Sequence, residues 1–270
     1  MLKEIAHLYR NIFWPCSAKA IHFLEDPDPD EVSSACKGYA EERIFCFWMG
    51  GVMTPQRTQG LSALIEVSQV PVVLIDKDNV LDWVVAEDPL PEAFPYLSAV
   101  HKSDFLRIYF MYHYGGGYSD IKAPLNGWSG AFREINRSPQ HFGLGYPEAN
   151  RRSVAYIKTD REFRKRDVYH FNVRMQDEYR TLLGNCCYIF KPKSPLMRII
   201  LAEQKRRLEL LREDLRQHPG NAYGDNAGYP VGWSYLLGEI FHPAQMAFRE
   251  PLHGRGSTTN LIRSPNPNNP

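Results

Sequence analysis

Four ionisable side chains in one short stretch are the residues of this sequence best suited to chemistry. Asp104 and Arg107 stand three positions apart, and Asp120 and Lys122 follow them after a run of three glycines. Residues three apart lie on the same face of a helix, so Asp104 and Arg107 can act together. Carboxylates accept hydrogen bonds from vicinal hydroxyls, and a guanidinium donates to oxygens. The set therefore suits a ligand that is both polyhydroxylated and anionic.

The glycine run 115–117 separates the two pairs. Glycine has no β-carbon, so a glycine turn lets the backbone approach a bulky ligand closely. We expect Gly116, Gly117 and Tyr118 to lie against the ligand and to place Asp120 beside it. On its own, however, the run would indicate only a flexible turn.

Strands and helices that alternate along the chain must position these residues. Four apolar segments bounded by turn residues are expected to be strands: 43–48, 70–75, 118–123 and 182–190. Three segments with helical periodicity are expected to be helices: 61–67, 103–114 and 196–216. The alternation predicts an α/β fold, with a site at the carboxyl edge of its sheet.

The predicted helix over 103–114 carries the first pair of charges. Ser103 is its expected N-cap, and the glycines after Tyr114 end it. Asp104 and Arg107 lie roughly 100° around the helix from its apolar stripe. The alternative is an ordinary surface ion pair in the first turn of a helix. The stripe has spacing i, i+3, i+4 and i+7: Phe105, Ile108, Tyr109 and Tyr112.

The order and spacing of these residues resemble those of DXD-type glycosyltransferases. Ser103-Asp104-x-x-Arg107, the tyrosine–glycine–glycine turn and Asp120-x-Lys122 are similar to the SDxxR, YGG and DxD pattern of that family. The pattern occurs in the capsular-polysaccharide-synthesis and sugar-transferase group and in the glucosylating domains of large clostridial toxins. The resemblance implies one GT-A-like domain over residues 1–262, with a mixed, mostly parallel sheet flanked by helices.

The same resemblance implies a reaction. The donor would be a nucleotide-diphosphate sugar, a UDP- or GDP-sugar, and the acceptor would be a glycan or another hydroxyl compound. Transfer would retain the anomeric configuration, in the setting of capsule or surface-polysaccharide assembly.

The resemblance also implies roles for individual residues. Asp104 and Arg107 would hold hydroxyls of the donor sugar, while Asp120 would meet ribose, sugar or a metal ion. Trp48, which ends the first strand, would stack on the base, with core packing as the alternative. Asp225 and His253 are weaker candidates for the acceptor side or a closing loop. A turn role for Asp225 and a structural role for His253 stay open.

The second aspartate of DxD is replaced here by Lys122. A lysine does not ligate Mn²⁺ or Mg²⁺, which leaves Asp120 as the ligand if a divalent cation is used. Its ammonium group can instead neutralise the diphosphate that leaves. Two interpretations stay open: a metal-independent transferase, and a catalytically inactive module that binds a sugar nucleotide or a glycan. A Rossmann-type dinucleotide enzyme is disfavoured, because these glycines follow a helix and lack the G-x-G-x-x-G spacing.

Composition excludes several other classes. Lys and Arg number 32 against 31 Asp and Glu, so charge alone recruits neither nucleic acid nor an anionic membrane. No apolar run approaches the ~20 residues of a membrane-spanning helix, and we expect a cytoplasmic protein. Five cysteines, an odd number without paired CxxC spacing, predict reduced core thiols.

Two segments stand apart from the predicted core. The region 151–180 is rich in basic residues and is expected to be a solvated, mobile insertion. Its alternative is an acceptor-side lid that closes over the donor. The tail 263–270 has nothing to bury, and we expect it to be disordered.

Overall fold

The first strand, β1 (Ile44–Trp48), shows why this chain folds around one central sheet. Its side chains alternate between two separate apolar cores. Phe45 and Phe47 belong to one core, while Ile44 and Cys46 belong to the other. A strand buried on both faces reads as a continuous apolar run, which is the pattern IFCFW. Helices must therefore cover both sides of the sheet.

The computed structural model describes residues 21–24, 26–158 and 165–253. Within this part of the chain, one sheet has the strand order β2-β1-β3-β5-β4-β6. Every antiparallel pairing involves β5, so the other five strands share one direction. The strands after β1 are β2 (Val72–Asp76), β3 (Gly116–Ser119), β4 (Gly143–Pro147), β5 (Leu183–Phe190) and β6 (Leu252–His253).

Eight α-helices lie within the described residues, and they divide between the two faces of the sheet. They are α1 (Pro29–Lys37), α2 (Pro55–Ser68), α3 (Ala99–His113), α4 (Ser129–Arg137), α5 (Lys165–Asp177), α6 (Pro195–Leu210), α7 (Arg212–Gln217) and α8 (Gly238–Gln245). Helices α3, α6 and α8 pack on one face, and α2 and α4 pack on the other. The predicted α/β fold with a mixed, mostly parallel sheet is confirmed and is compatible with a GT-A-like fold.

Helix α3 begins earlier than the sequence pattern predicted. Its N-cap is Ser98, whose hydroxyl accepts a hydrogen bond from the backbone N–H of His101. Ser103 was therefore the wrong choice, and its hydroxyl donates to the carbonyl of Ala99 inside the helix.

Phe105, Ile108 and Tyr109 of the predicted apolar stripe are in the core, and Tyr112 packs against it partly buried. Leu106 is fully buried as well. Because the core surrounds α3 on several sides, Asp104 and Arg107 are also largely buried.

Other boundaries also differ from the predictions. The helix expected over 61–67 is α2, which begins six residues earlier, at Pro55, with Thr54 as its N-cap. The strand expected over 118–123 is β3, which starts at Gly116 because Gly117 is already paired with β1. The helix expected over 196–216 is divided at Leu211 into α6 and α7.

The described part of the region 151–180 includes a helix that packs on the core. This helix is α5, and the side chains of Val168, Phe171 and Met175 are buried in the core. A solvated, mobile insertion therefore does not describe α5, which packs like the other helices. Residues 159–164 and the tail 263–270 lie outside the described residues.

The four cysteines in the described ranges are free thiols, and three of them are buried. Cys16 lies outside these ranges. No helix in the described part of the chain has the length and apolar character needed to cross a membrane.

Candidate functional site

The carboxyl ends of the parallel strands gather at one edge of the sheet. Trp48 ends β1, Asp120 directly follows β3, and Glu148 directly follows β4. Strand β5 runs the other way, so its first residues, including Asn185, meet the same edge. Ligands of α/β sheets bind at this edge, which makes it the place to look for a site.

Four charged side chains form a continuous line at this edge, which we call the charged row. Asp104 Oδ1 lies 3.1 Å from Arg107 Nη2, and Arg107 Nη1 lies 3.9 Å from Asp120 Oδ1. Asp120 Oδ2 lies 3.7 Å from Lys122 Nζ. The side chain of Asp104 is 8% exposed and that of Lys122 is 22% exposed. The charged row thus alternates in sign and leads from the interior toward solvent.

Burial and neighbouring charges act in opposite directions on the pKa of each member of the inner pair. It raises the pKa of Asp104, although the neighbouring Arg107 guanidinium pulls that pKa down. Burial also works to lower the pKa of Arg107, but Tyr118, Asp104 and Asp120 outweigh it and raise that pKa. Arg107 is therefore a permanent cation at the centre of the charged row. The alternative of an ordinary surface ion pair is wrong for Asp104 and Arg107.

Tyr118 contacts the two central members of the charged row, Arg107 and Asp120. Its hydroxyl donates to Asp120 Oδ1 at 2.6 Å, and the Arg107 guanidinium lies over its ring, 4.5 Å from the centroid. Tyr118 itself is only 3% exposed. It therefore orients Asp120 and Arg107, whereas the sequence had suggested contact with the ligand.

Asn185 is a site residue to which sequence reasoning gave no role. Its carbonyl accepts a hydrogen bond from Arg107 Nη1 at 3.0 Å, and the backbone N–H of Asp120 donates to the next carbonyl, that of Cys186. The Asn185 side-chain oxygen is buried and has no hydrogen-bond partner. An asparagine near the start of an otherwise apolar strand is the signal that could have identified it.

Arg57 of α2 is a second residue that the sequence reasoning missed. Its Nη1 donates to the carbonyl of Ile121 at 3.2 Å, between Asp120 and Lys122. Gly60 allows this approach, because a β-carbon there would lie 3.1 Å from the same carbonyl. Arg57 and Lys122 therefore bring two cations to the loop after β3. Nothing in the spacing from 57 to 122 indicated this contact.

Gly116 and Gly117 occupy a different place from the one predicted. They begin β3, and Gly116 lies four residues before Asp120, roughly 13 Å away along the strand. A β-carbon on Gly116 would lie 3.0 Å from the carbonyl of Arg43, and one on Gly117 would lie 2.9 Å from the Trp128 ring. Gly116 also has a φ of 88°. These glycines let β3 pack inside the protein, so the predicted ligand contact is not supported.

The remaining predicted residues are more distant or ambiguous. Trp48 is half-buried against the second core, and its indole N–H donates to the carbonyl of Gly51, so both readings of Trp48 stay open. The Asp225 carboxylate accepts from Asn221 within an exposed loop, as a turn residue does. The backbone of His253 belongs to the edge strand β6 instead of a loop. The side chain of His253 lies outside the described part of the structure.

The residues at the edge offer little to a divalent cation. In the ranges 21–24, 26–158 and 165–253, no three His, Cys, Asp or Glu side chains are grouped as metal ligands. Asp120 is the carboxylate nearest the surface in the charged row, and it faces both Arg107 and Lys122. Two cations beside one carboxylate do not fit a protein-held Mn²⁺ or Mg²⁺ ion, which prefers several oxygen ligands.

Residues 61–126 match the family described as glycosyltransferase sugar-binding region containing DXD motif. This match supports a glycosyltransferase of the DXD type. It covers about a quarter of the chain and includes the whole charged row. Its presence on an α/β sheet supports a general role in glycosyl transfer. No curated protein and no solved structure matches the chain.

Proposed function

We propose that the protein is a glycosyltransferase that uses a nucleotide-diphosphate sugar, a UDP- or GDP-sugar, as donor and a glycan or other hydroxyl as acceptor. The observation that carries the proposal is the charged row, which lies within the family match and opens at the carboxyl edge of the sheet. A sugar requires hydrogen-bond acceptors, and a diphosphate requires cations. The charged row offers both kinds of group side by side.

The inner part of the charged row would bind the sugar. Asp104 and Arg107 are held in place by each other, by Tyr118 and by the Asn185 carbonyl before any ligand arrives. Such pre-positioned groups need little reorganisation when charge develops in the reaction. Asp120 would then accept a hydroxyl of the sugar or the ribose. Trp48, at the end of the neighbouring strand, would meet the base.

The outer part would neutralise the diphosphate. In the reaction, the acceptor oxygen bonds to the anomeric carbon and the bond from that carbon to the diphosphate oxygen breaks. The diphosphate leaves with the bonding electrons, and the acceptor proton passes to a diphosphate oxygen in a retaining, front-face displacement. Lys122 and Arg57 would stabilise the negative charge that forms there.

A catalytically inactive module that binds a sugar nucleotide or a glycan is the second interpretation. It differs from the first at Lys122, the residue that stands where DxD has its second aspartate. Turnover separates the two interpretations, whereas donor binding alone does not.

Release of UDP or GDP from a panel of sugar nucleotides tests the proposal. We expect the wild type to release nucleoside diphosphate from one donor, and Asp120→Asn to lower that rate about 100-fold. Asp225→Asn is the matched control, because it makes the same change in an exposed loop. Donor binding without release would favour the inactive module. If no donor binds, the proposed function is wrong.

A further inference from the structure

Two loops from the second half of the chain meet beside the charged row: residues 154–158 and 231–237. Gly238, the first residue of α8, lies at their junction. A β-carbon on Gly238 would lie 2.8 Å from the β-carbon of Ala155 and 3.9 Å from the side-chain nitrogen of Asn185. Asn185 is the residue whose carbonyl binds Arg107. The junction of the two loops is therefore one residue removed from the charged row.

Buried polar side chains hold the first loop in place. Asn172 of α5 pairs with both backbone groups of Ile157, accepting from its N–H at 3.0 Å and donating to its carbonyl at 2.9 Å. His242 of α8 accepts from the backbone N–H of Ala155 at 2.9 Å, and its other ring nitrogen contacts Glu148 at 3.0 Å. Both Asn172 and His242 are fully buried. The loop is thus fixed without belonging to a helix or strand.

Helix α6 holds the second loop in the same way. Gln204 donates to the carbonyl of Leu236 at 2.6 Å and to that of Asp104 at 3.0 Å. Arg207 donates to the carbonyl of Tyr235 at 2.6 Å. Both side chains are buried, so each bond is protected from water. Gln204 also ties the second loop to the helix that carries Asp104.

These rigid loops present large aromatic side chains to solvent. Trp233 is 70% exposed and Tyr156 is 44% exposed. Such exposure is uncommon for tryptophan, which is highly buried on average and is enriched among the residues that dominate binding interfaces. The loops also touch, since a β-carbon on Gly232 would lie 3.5 Å from the Lys158 ammonium. The Lys158 ammonium therefore lies beside the residue that precedes Trp233, and both side chains are exposed.

A buried carboxylate lies beneath this surface. Glu239 is 3% exposed, and its Oε1 accepts from the Ser234 hydroxyl at 2.7 Å and lies 4.0 Å from Lys158 Nζ. Its place in the first turn of α8 suits the helix dipole. That placement does not account for the neighbouring ammonium and the exposed indole.

We infer that this surface binds the acceptor glycan, and we call Trp233, Lys158, Ser234 and Glu239 the acceptor surface. The flat face of the Trp233 indole would pack on the apolar face of a sugar ring. Ser234 and Lys158 would bond its hydroxyls, and the buried Glu239 would orient both of these groups, as a few placed polar groups do in ligand sites. The inference rests on the proposed function, because it assigns the acceptor of the same reaction.

Release of nucleoside diphosphate with and without added sugar tests the inference. The probes are methyl glycosides of glucose, galactose, mannose and N-acetylglucosamine, together with lactose, maltose and cellobiose. We expect Trp233→Ala to raise the KM for the stimulating sugar about tenfold and to leave release into water unchanged. Tyr223→Ala is the control, because Tyr223 is 65% exposed outside the acceptor surface. Tyr223→Ala should change neither the KM for the stimulating sugar nor the rate of release into water.

Glu239→Gln provides a second readout, because it keeps the size of the side chain and an oxygen for the Ser234 hydroxyl. We expect it to lower sugar-stimulated release about tenfold with an unchanged Tm and an unchanged rate into water. A purely structural role would lower Tm and reduce both rates together. Such a result would overturn the assignment of Glu239 to the acceptor surface.

Failure of the inference and failure of the proposed function are distinguishable. If the wild type releases no nucleoside diphosphate, the proposed function fails. If a sugar stimulates release equally in the wild type and Trp233→Ala, only the inference fails. It also fails if no probe changes either nucleoside diphosphate release or the tryptophan fluorescence of the protein.

Discussion

The four side chains of the charged row come from one stretch of the sequence. Helix α3 carries two of them, and the loop that follows β3 carries the other two. The acceptor surface instead draws on two loops outside regular secondary structure and on Glu239 in the first turn of α8. Buried side chains from α5, α6 and α8 hold those loops. The charged row can therefore be predicted from the spacing of residues in the sequence. The acceptor surface cannot, because it depends on contacts between segments that are distant in the sequence. The two regions should also respond differently to mutation.

The largest effect is expected at the centre of the charged row. Arg107→Met leaves the buried Asp104 carboxylate without its cation, which typically costs about 3–5 kcal/mol. We expect a Tm lower by roughly 6–10 °C and the loss of donor turnover. Differential scanning calorimetry and the release assay measure both effects.

Arg212→Met is the matched control for that prediction. Arg212 is 49% exposed and pairs with the exposed Glu92, so its loss should cost at most about 1 kcal/mol. If Arg107→Met unfolds at the same temperature as Arg212→Met, the charged row is not a buried network.

A smaller and more local effect is expected at the acceptor surface. Asn172→Leu removes both partners of the Ile157 backbone, at about 1–3 kcal/mol for each unsatisfied group. We expect faster hydrogen exchange in peptides covering 154–158 and weaker stimulation by sugar, with unchanged exchange over 104–120. Hydrogen exchange with mass spectrometry measures this. An equal increase of hydrogen exchange over 154–158 and 104–120 would contradict the claim that different contacts stabilise the two regions.

Features that depend on the local sequence could be predicted, and features that depend on contacts between distant segments could not. Strands β1, β2 and β5 were found because each is a short apolar run between turn residues. The start of α3 was placed five residues late, at Ser103 in place of Ser98, because both are serines and only the observed backbone shows which one caps. The expected single helix over 196–216 is two helices, and nothing in its apolar pattern marked the division.

The sequence also predicted part of the candidate site. Asp104, Arg107, Asp120 and Lys122 were brought together correctly, since one helix and one strand determine their distances. Gly116 and Gly117 were assigned to the ligand because the pattern shows the lack of a β-carbon but not which neighbour fills the space. Three residues that approach the site only through tertiary contacts were given no role: Arg57, Asn185 and Glu239.

The smallest expected effect concerns the junction between α3 and the loop after α7. His101 Nδ1 contacts the hydroxyls of Ser98 and Tyr229 at 2.9 Å, and burial lowers its pKa below the ordinary 6.5. The folded protein therefore disfavours the protonated ring. As pH falls below about 6.5, the unfolded chain takes up a proton that the folded chain does not, so stability is lost.

We expect Tm to fall by about 2–3 °C more in the wild type than in His101→Gln when pH drops from about 7.5 to about 5.5. Thermal unfolding at both pH values measures the difference. His113 is retained in both proteins, so its titration cancels in the comparison. Parallel curves for the two proteins would exclude His101 as the group responsible.

The most direct test of the charged row as the donor site is nucleoside diphosphate release in EDTA and in manganese, for the wild type and Lys122→Asp. If Lys122 neutralises the leaving diphosphate, the wild type releases it at the same rate in both buffers. Lys122→Asp then loses release in EDTA, and manganese restores it, because an aspartate at this position can ligate the ion. A wild type that is inactive in EDTA and active in manganese would contradict the account.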